Sequence, residues 1–240
     1  MVIRSPKSTE EVLVAADVAA AAFANEAPEW WRERYALLEQ RFGREAFLTV
    51  AVDGRVVSSC TCLPTTVWVG RRCLSLGAVG GVATLPECRR QGYAGALMTA
   101  VVRHMAAAGL ATSALWPFSF AYYRKFGWDY GSEQRTYRFA PDQIGALPEP
   151  VGVSPVQSGD LPTLVEVFRA YAQHLAFCTA RTEAWWQGLL LLEGVPPFAT
   201  GASATRRMLV CREEDRLLGY AVYQPPAGDP PVVNVKELVA

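Results

Sequence analysis

The sequence has no excess of either charge. Its 240 residues include 23 Lys and Arg and 23 Asp and Glu, so the formal net charge is zero. A basic excess is what gives a protein non-specific affinity for nucleic acid or anionic lipid. We therefore expect neither nucleic acid nor a membrane surface as a partner.

Residues that bind metals are also scarce. Only two histidines occur, His104 and His174, and the six cysteines form no Cys-x-x-Cys pair. A structural zinc site needs about four such ligands at close spacing. We expect no metal cofactor, and we interpret the cysteines as reduced, buried thiols of a cytoplasmic protein.

Several other signals are missing. Charged residues occur within Met1–Glu11, where a signal peptide needs an apolar core, so no export signal is expected. The longest uncharged run, Met105–Tyr123, is interrupted by Gly109 and Pro117 and should not span a bilayer. Gly77–Gly81 lies within an apolar strand rather than after one, and no convincing Ser-His-Asp set occurs. Nucleotide phosphate loops and serine hydrolases are therefore disfavoured.

What is present, in a chain of 51% hydrophobic residues, is the pattern of an α/β module with a mixed sheet over residues 1–140. Ser8-Thr9-Glu10-Glu11 is a capping-box pattern that predicts a helix over Thr9–Ala24. Asp53-Gly54 predicts a tight hairpin. The other predicted elements are a helix over Trp30–Phe42, strands over Phe47–Val52, Val56–Leu63, Thr65–Val69 and Cys73–Val82, a helix over Gly92–Ala108, a buried strand over Leu110–Trp116, a short helix over Pro117–Phe126 and an edge strand over Thr136–Phe139.

A second, partial module is predicted over residues 156–240. Four prolines indicate a linker over residues 141–155: Pro141, Pro148, Pro150 and Pro155. Beyond it, helices are again followed by strands, but no counterpart of Arg89–Ala108 follows. The predicted elements are a helix capped by Asp160, a helix over Trp185–Leu192 and strands over Met208–Cys211, Leu217–Tyr223 and Val232–Val239. We expect the last strand to leave an edge and an apolar face that allow the chain to form a homo-oligomer.

The segment most indicative of chemistry is Val82–Gly95, where a strand runs into a basic, glycine-containing turn that begins a helix. Amides in the first turn of a helix have no internal partner and lie at the positive end of its dipole, so they bind phosphate oxygens. Gly92, Ala94 and Gly95 would let such a ligand approach the backbone. The alternative is a surface turn with a routine glycine and two solvated arginines, and the spacing alone does not decide between them.

Two motifs of this region resemble those of a known superfamily. Arg89-x-x-Gly92-x-Ala94, after a strand, is similar to the Gln/Arg-x-x-Gly-x-Gly/Ala signature of GNAT N-acetyltransferases. Leu115–Ser119 and Tyr123–Trp128 resemble segments of the enhanced-intracellular-survival (Eis) type, the second being its Tyr-x-Arg/Lys-Phe-Gly-aromatic motif. The resemblance is clear over Leu76–Tyr130. It implies the GNAT acyl-CoA N-acyltransferase fold, followed by a partial second GNAT-like module, and acetyl-CoA as cosubstrate.

The resemblance also implies which residues bind acetyl-CoA. Val82, Ala83 and Thr84 would form the strand that pairs with the pantetheine arm and polarises the thioester. Phe118 and Ser119 would line the far side of the ligand, near its sulfur. The residues expected to hold the pyrophosphate are Arg89, Arg90, Gln91, Gly92, Tyr93, Ala94 and Gly95.

Tyr123 would be the general acid. A phenol with a reference pKa of about 10 is protonated at neutral pH and can give its proton to a departing thiolate. The resemblance favours Tyr123 over Tyr122 because Tyr123 alone precedes Arg/Lys-Phe-Gly at the family's offset. Without the resemblance, an aromatic core residue of a short helix is the favoured interpretation.

The implied reaction is transfer of an acetyl group from acetyl-CoA to a primary amine by direct attack. The expected acceptor is a small polyamine- or aminoglycoside-like molecule, or a protein lysine. Proteins of the Eis type also have a sterol-carrier-like C-terminal domain whose terminal carboxylate is the base, and residues up to Ala240 show no such domain, so no base is assigned. The alternative function is a catalytically silent CoA-binding or assembly module.

Overall fold

The computed structural model describes residues 1–23, 26–133, 135–145, 149, 151–182, 185–186, 206–227 and 232–240. These residues divide into two units. The first consists of Met1–Val67 and Cys73–Tyr130, and the second of Trp68–Arg72 and Gly131–Ala240. The boundaries that the sequence suggests, at residues 140 and 156, stay predictions.

Local sequence signals determine most elements of the first unit. Ser8 caps the first helix, where its hydroxyl accepts a hydrogen bond from the Glu11 amide at 3.4 Å. Asp53 and Gly54 have φ angles of 50° and 80°, as a tight hairpin turn requires. The strands are β1 (Val2–Arg4), β2 (Phe47–Val52), β3 (Arg55–Val69), β4 (Arg72–Thr84) and β5 (Thr112–Leu115), and the helices are α1 (Thr9–Ala22), α2 (Pro28–Phe42), α3 (Tyr93–Ala107) and α4 (Phe120–Arg124).

These strands form a sheet in the order β1-β2-β3-β4-β5. The pairs β1–β2 and β2–β3 are antiparallel, whereas β4 and β5 are parallel, so the predicted mixed sheet is confirmed. Phe47 packs in a buried cluster with α1 and α2, and its neighbour Leu48 packs with α3. Because successive strand residues point to opposite faces, helices cover both faces of the sheet.

Three expectations for this region need correction. The segments predicted as separate strands over Val56–Leu63 and Thr65–Val69 belong to one strand, β3, which contains Pro64. The strand predicted as buried over Leu110–Trp116 is the shorter β5, whose residues are only partly buried or exposed. The strand predicted over Thr136–Phe139 does not form: its aromatic residues alternate as in a strand, but no segment in the described part of the chain pairs with it.

The second unit is built on an antiparallel sheet in the order β10-β9-β8-β6. Its core joins the helix face of Leu164 and Phe168 to Trp186 and to sheet residues such as Tyr220. Arg181 forms a salt bridge with Glu237 and stacks on the Phe168 ring. The elements are β6 (Val153–Pro155), α5 (Leu161–Ala172), β7 (Ala176–Thr179), β8 (Arg207–Glu213), β9 (Arg216–Ala227) and β10 (Val232–Val239).

The strands predicted over residues 208–211, 217–223 and 232–239 are confirmed, but other expectations for this unit change. Asp160 precedes α5 as predicted, yet its carboxylate makes no capping bond to α5 and instead accepts hydrogen bonds from Arg212 at 2.5 Å and from the Gln157 amide at 2.8 Å. Val153–Pro155, within the predicted linker, forms β6. The predicted helix Trp185–Leu192 lies mostly outside the described residues. Among the helices that the structure describes, none is long and apolar enough to cross a membrane.

Substitution of Leu97 tests the contribution of α3 to the core. Leu97 is fully buried between α3 and the sheet, so Leu97→Ala removes apolar contacts and leaves a cavity. We expect the free energy of unfolding to fall by about 2–5 kcal/mol in urea titrations. Val102→Ala, on the same helix but 40% exposed, should change it by less than about 1 kcal/mol. Equal losses would contradict the packing described for α3.

Candidate active site

The sheet of the first unit splits between β4 and β5. The two strands pair from Leu76 and Thr112 up to Val79 and Leu115, where β5 ends. β4 continues through Gly80 to Thr84. In the part of the chain that the structure describes, no strand pairs with this edge of β4 beyond Val79. The predicted cofactor-binding residues Val82, Ala83 and Thr84 therefore lie on a strand edge that an extended ligand can pair with.

The unpaired part of β4 is irregular. Gly81 has a φ angle of 57°, which a non-glycine residue rarely adopts in a strand. A Cβ atom at this position would lie 2.6 Å from the hydroxyl oxygen of the buried Tyr35. Glycine is thus required at residue 81 both for its backbone conformation and for space.

The turn that follows β4 exposes backbone amides. A short 3₁₀ helix over Pro86–Cys88 leads to Arg90 and Gly92, whose φ angles are 63° and 85°. Gly92 precedes α3 without a side-chain cap, and the first helical turn contains no acidic residue. The amides of Tyr93, Ala94 and Gly95 make no hydrogen bond to any described residue. Three amide donors without a described partner, at the positive end of a 15-residue helix, provide the arrangement that can bind an anion.

The side chains of the turn leave these amides accessible. Arg89 and Arg90 are exposed and form no salt bridge within the described residues. The Gln91 side-chain oxygen accepts a hydrogen bond from the Tyr93 hydroxyl at 3.0 Å. The two guanidinium groups can therefore add positive charge beside the amides, although exposed charges are screened by salt.

Phe126 connects the two sequence motifs in space. Its ring lies 3.6 Å from the Cβ position at Gly95 in the first turn of α3. The same ring lies 5.3 Å from that of Tyr122 on α4. The motif at Tyr123–Trp128 thus packs directly against the turn that carries the amides.

Helix α4 places an aromatic group beside the end of β5. The Ser119 hydroxyl caps α4 by accepting a hydrogen bond from the Tyr122 amide at 3.3 Å. The Phe118 ring lies 5.1 Å and 5.3 Å from the rings of Tyr122 and Tyr123 and is 73% exposed. Tyr123 shares a buried cluster with Val79 and Leu115, the last paired residues of β4 and β5. Tyr123 and the last paired residues of the two strands thus belong to one core.

The two adjacent phenols differ in environment. Burial, followed by the neighbouring groups of Tyr122 and Cys60, raises the pKa of the Tyr123 hydroxyl to about 12. Burial also raises the pKa of Tyr122, whose hydroxyl oxygen is enclosed without a hydrogen-bond partner among the described residues. The Tyr123 oxygen is not among these enclosed atoms. Tyr123 is thus a protonated phenol at neutral pH, and although the residue is only 4% exposed, its oxygen is not among the enclosed atoms as that of Tyr122 is.

The structure gathers the residues selected from sequence into one unit. Val82, Tyr93 and Tyr123 belong to the same hydrophobic cluster, although their functional roles stay predictions. Sequence reasoning missed Gly81 and its surroundings. The available signal was the Gly80-Gly81 pair inside an apolar strand, since glycine in a strand interior often marks a bulge.

The first unit is thus an α/β fold whose mixed sheet opens beside an amide-lined helix start. Residues 3–131 match the Acetyltransferase (GNAT) domain family, which is more than half of the chain. The chain therefore belongs to the GNAT acetyltransferase family, as the motifs at Arg89–Ala94 and Tyr123–Trp128 suggest. No curated protein matches the chain by sequence.

Solved GNAT structures share this fold. The GCN5-related N-acetyltransferase from Anabaena variabilis is 20% identical with a TM-score of 0.74, covering 100% of this chain and 59% of that protein. The one from Kribbella flavida is 20% identical with a TM-score of 0.73, covering 100% and 57%. Eis1 from Mycobacterium abscessus is 19% identical with a TM-score of 0.67, covering 100% and 59%. The chain thus spans less than two thirds of the length of these relatives, and at such identities the likeness shows the fold.

Substitution of Gly92 tests whether the turn binds the pyrophosphate of acetyl-CoA. Gly92→Asp directs a negative charge toward the free amides, and we expect the affinity measured by calorimetry to fall about 10- to 100-fold. The Asn side chain of Gly92→Asn has nearly the same shape as Asp but no charge, and it also tolerates a positive φ, so this variant should retain most of the affinity. Gly109→Asp, at a positive φ beyond the other end of α3, controls for backbone strain. Unchanged affinity in Gly92→Asp would refute the assignment of the turn.

Proposed function

We propose that this chain transfers the acetyl group of acetyl-CoA to a primary amine, by direct attack of the amine on the thioester. The observation that carries the proposal is that the open edge of β4 leads directly into the amide-lined turn, while Tyr123 packs in the same cluster as Val79 and Val82 of that strand. An extended thioester with a pyrophosphate at one end matches this series of groups. We further propose that the chain belongs to the Eis type of the family, on the basis of its Tyr123–Trp128 motif.

The described residues divide the binding of acetyl-CoA among three segments. The amides of Tyr93, Ala94 and Gly95 donate hydrogen bonds to the pyrophosphate, with positive charge from the turn arginines. The β4 edge from Val82 to Thr84 pairs with the amide groups of the pantetheine arm, as a neighbouring strand would. The exposed Phe118 ring covers the other side of the thioester. Most of the rate gain then comes from orientation and from amides directed at the developing charge on the thioester oxygen.

Tyr123 acts on the leaving group. Acetyl-CoA supplies the acetyl group as a thioester, whose C–S bond breaks as a C–N bond forms with the amine. Tyr123 donates its proton to the departing sulfur, and the proton lost by the amine nitrogen passes to solvent, from which Tyr123 is reprotonated. With a pKa of about 12, the phenol is a weak acid that gives its proton only as negative charge accumulates on the sulfur.

The acceptor is a primary amine, and a small polyamine- or aminoglycoside-like molecule or a protein lysine fits this chemistry. The test is a thiol-release assay with acetyl-CoA and a panel of such amines, run beside a thermal-shift measurement. Amine-dependent release of CoA supports the proposal. A rise in melting temperature with acetyl-CoA, but no thiol release with any amine, would indicate the catalytically silent CoA-binding module instead.

Removal of the Tyr123 hydroxyl tests the general acid. We expect Tyr123→Phe to keep its affinity for acetyl-CoA and to lower kcat by about 10- to 1000-fold, since the proton is needed only in the transition state. Tyr122→Phe is the matched control, because it removes a buried hydroxyl that has no described partner and should leave kcat unchanged. The reverse pattern would show that Tyr122 is the acid.

The raised pKa of Tyr123 also predicts the alkaline side of the pH profile. A pKa above the reference value keeps the phenol protonated until the pH approaches about 12. We therefore expect kcat to show no loss from this group between pH 7 and about 10. A Tyr123-dependent fall in kcat near pH 8, absent in Tyr123→Phe, would contradict this environment.

Self-association through the second unit is also proposed. Among the described strands, β10 lies at the edge of its sheet. Four of its side chains are each more than half exposed: Val232, Val233, Val235 and Leu238. A second copy can cover such an edge by strand pairing. We expect light scattering to show a dimer that Val235→Lys dissociates and that Val151→Lys, at an exposed site outside β10, does not. A monomeric wild-type chain would refute this.

A further inference from the structure

Two hydroxyl groups of β3 donate hydrogen bonds to backbone carbonyls on either side of the irregular residue Gly81 in β4. The Thr61 hydroxyl on β3 donates a hydrogen bond to the carbonyl of Gly80 at 3.1 Å. The Ser58 hydroxyl, also on β3, donates to the carbonyl of Ala83 at 2.6 Å. In a regular strand, carbonyls that point to the same neighbour are two residues apart. Here they are three apart, so one extra residue is inserted between them, as in a β-bulge that contains Gly81.

These two hydroxyl donors are buried, and the acceptor of each hydroxyl hydrogen can be assigned. Ser58 is 0% exposed and Thr61 is 4% exposed. The Ser58 oxygen also lies 2.9 Å from the Thr84 hydroxyl oxygen. Each hydroxyl has a single hydrogen, and that of Ser58 is used for Ala83. Thr84 must therefore donate to Ser58, which fixes the last residue of β4 to β3 as well.

Because peptide groups are planar, the direction of these carbonyls also fixes the direction of the amides on the other edge of β4. In a trans peptide, the carbonyl of one residue and the amide N–H of the next point in opposite directions. With the carbonyls of Gly80 and Ala83 held toward β3, the amides of Gly81 and Thr84 point away from it. That side is the edge that β5 leaves unpaired beyond Val79.

We propose that Ser58 and Thr61 are positioning residues that hold the Gly81 and Thr84 amides toward the open edge of β4, where they donate to the thioester and pantetheine groups of acetyl-CoA. The inference rests on the proposed function, because it assigns the open edge to that ligand.

Two other hydroxyls provide matched controls. The Ser59 hydroxyl donates to the carbonyl of Ala15 on α1 at 3.1 Å, and the Thr49 hydroxyl donates to the carbonyl of Arg4 on β1 at 3.0 Å. Both residues are fully buried, as Ser58 is, but the acceptors of their hydroxyls lie outside β4. Loss of either hydroxyl should reduce stability without reorienting the open edge.

The experiment compares Ser58→Ala with Ser59→Ala, and Thr61→Val with Thr49→Val, in the full chain. We measure acetyl-CoA affinity by calorimetry, kcat with an acceptor amine, and stability by urea unfolding. Ser58→Ala and Thr61→Val should each weaken affinity by about 3- to 10-fold and lower kcat by about 10- to 100-fold, since a misdirected amide no longer stabilises developing charge. Ser59→Ala and Thr49→Val should lose similar stability and keep affinity and kcat within about twofold. Thr61→Ser, which retains the hydroxyl, should have the affinity and the kcat of the wild-type chain.

The outcomes separate this inference from the proposed function. Suppose that the wild-type chain binds and turns over acetyl-CoA, but Ser58→Ala and Thr61→Val behave like their controls. The positioning role is then wrong, and the proposed function stands. If the wild-type chain binds no acetyl-CoA, the proposed function fails, and the inference fails with it. Should Ser58→Ala not fold, the comparison of Thr61→Val with Thr61→Ser decides the question.

Discussion

The candidate site depends on one structural constraint, which is that β4 extends beyond the end of its partner strand β5. The pairing with β5 ends at Val79, whereas β4 continues to Thr84. Backbone donors and acceptors need partners, so a strand edge left open in this way favours an extended ligand that supplies them. The bulge at Gly81 and the hydroxyls of β3 determine which amides this edge presents.

Helix α3 serves the core and the site at once. Leu97, Met98 and Val101 are fully buried against the sheet, which fixes the helix axis. Its first turn therefore presents free amides in a constant position relative to β4. The positive φ of Gly92 allows the chain to enter the helix directly from the turn. Packing energy thus supplies the rigidity that an anion-binding site at a helix start requires.

Sequence reasoning succeeded where the determinant is local. The cap at Ser8, the Asp53-Gly54 hairpin and α3 depend on neighbouring residues, and each was predicted within a few residues of its observed bounds. Sequence reasoning failed where pairing with another strand decides whether a segment becomes a β-strand. The segment Thr136–Phe139 pairs with no strand among the described residues, and β3 continues through Pro64 although proline is disfavoured within strands. Pairing between distant segments is not encoded in a local pattern.

The sequence by itself determined the family and the chemical types in the candidate site, because the motifs at Arg89–Ala94 and Tyr123–Trp128 are contiguous and carry their own backbone requirements. Only the tertiary structure decided where these groups lie relative to one another. The contact of Phe126 with Gly95 and the donation of Ser58 to Ala83 join residues far apart in the chain. Such contacts arise from the packing of whole elements around a shared core, and no local spacing of residues specifies them.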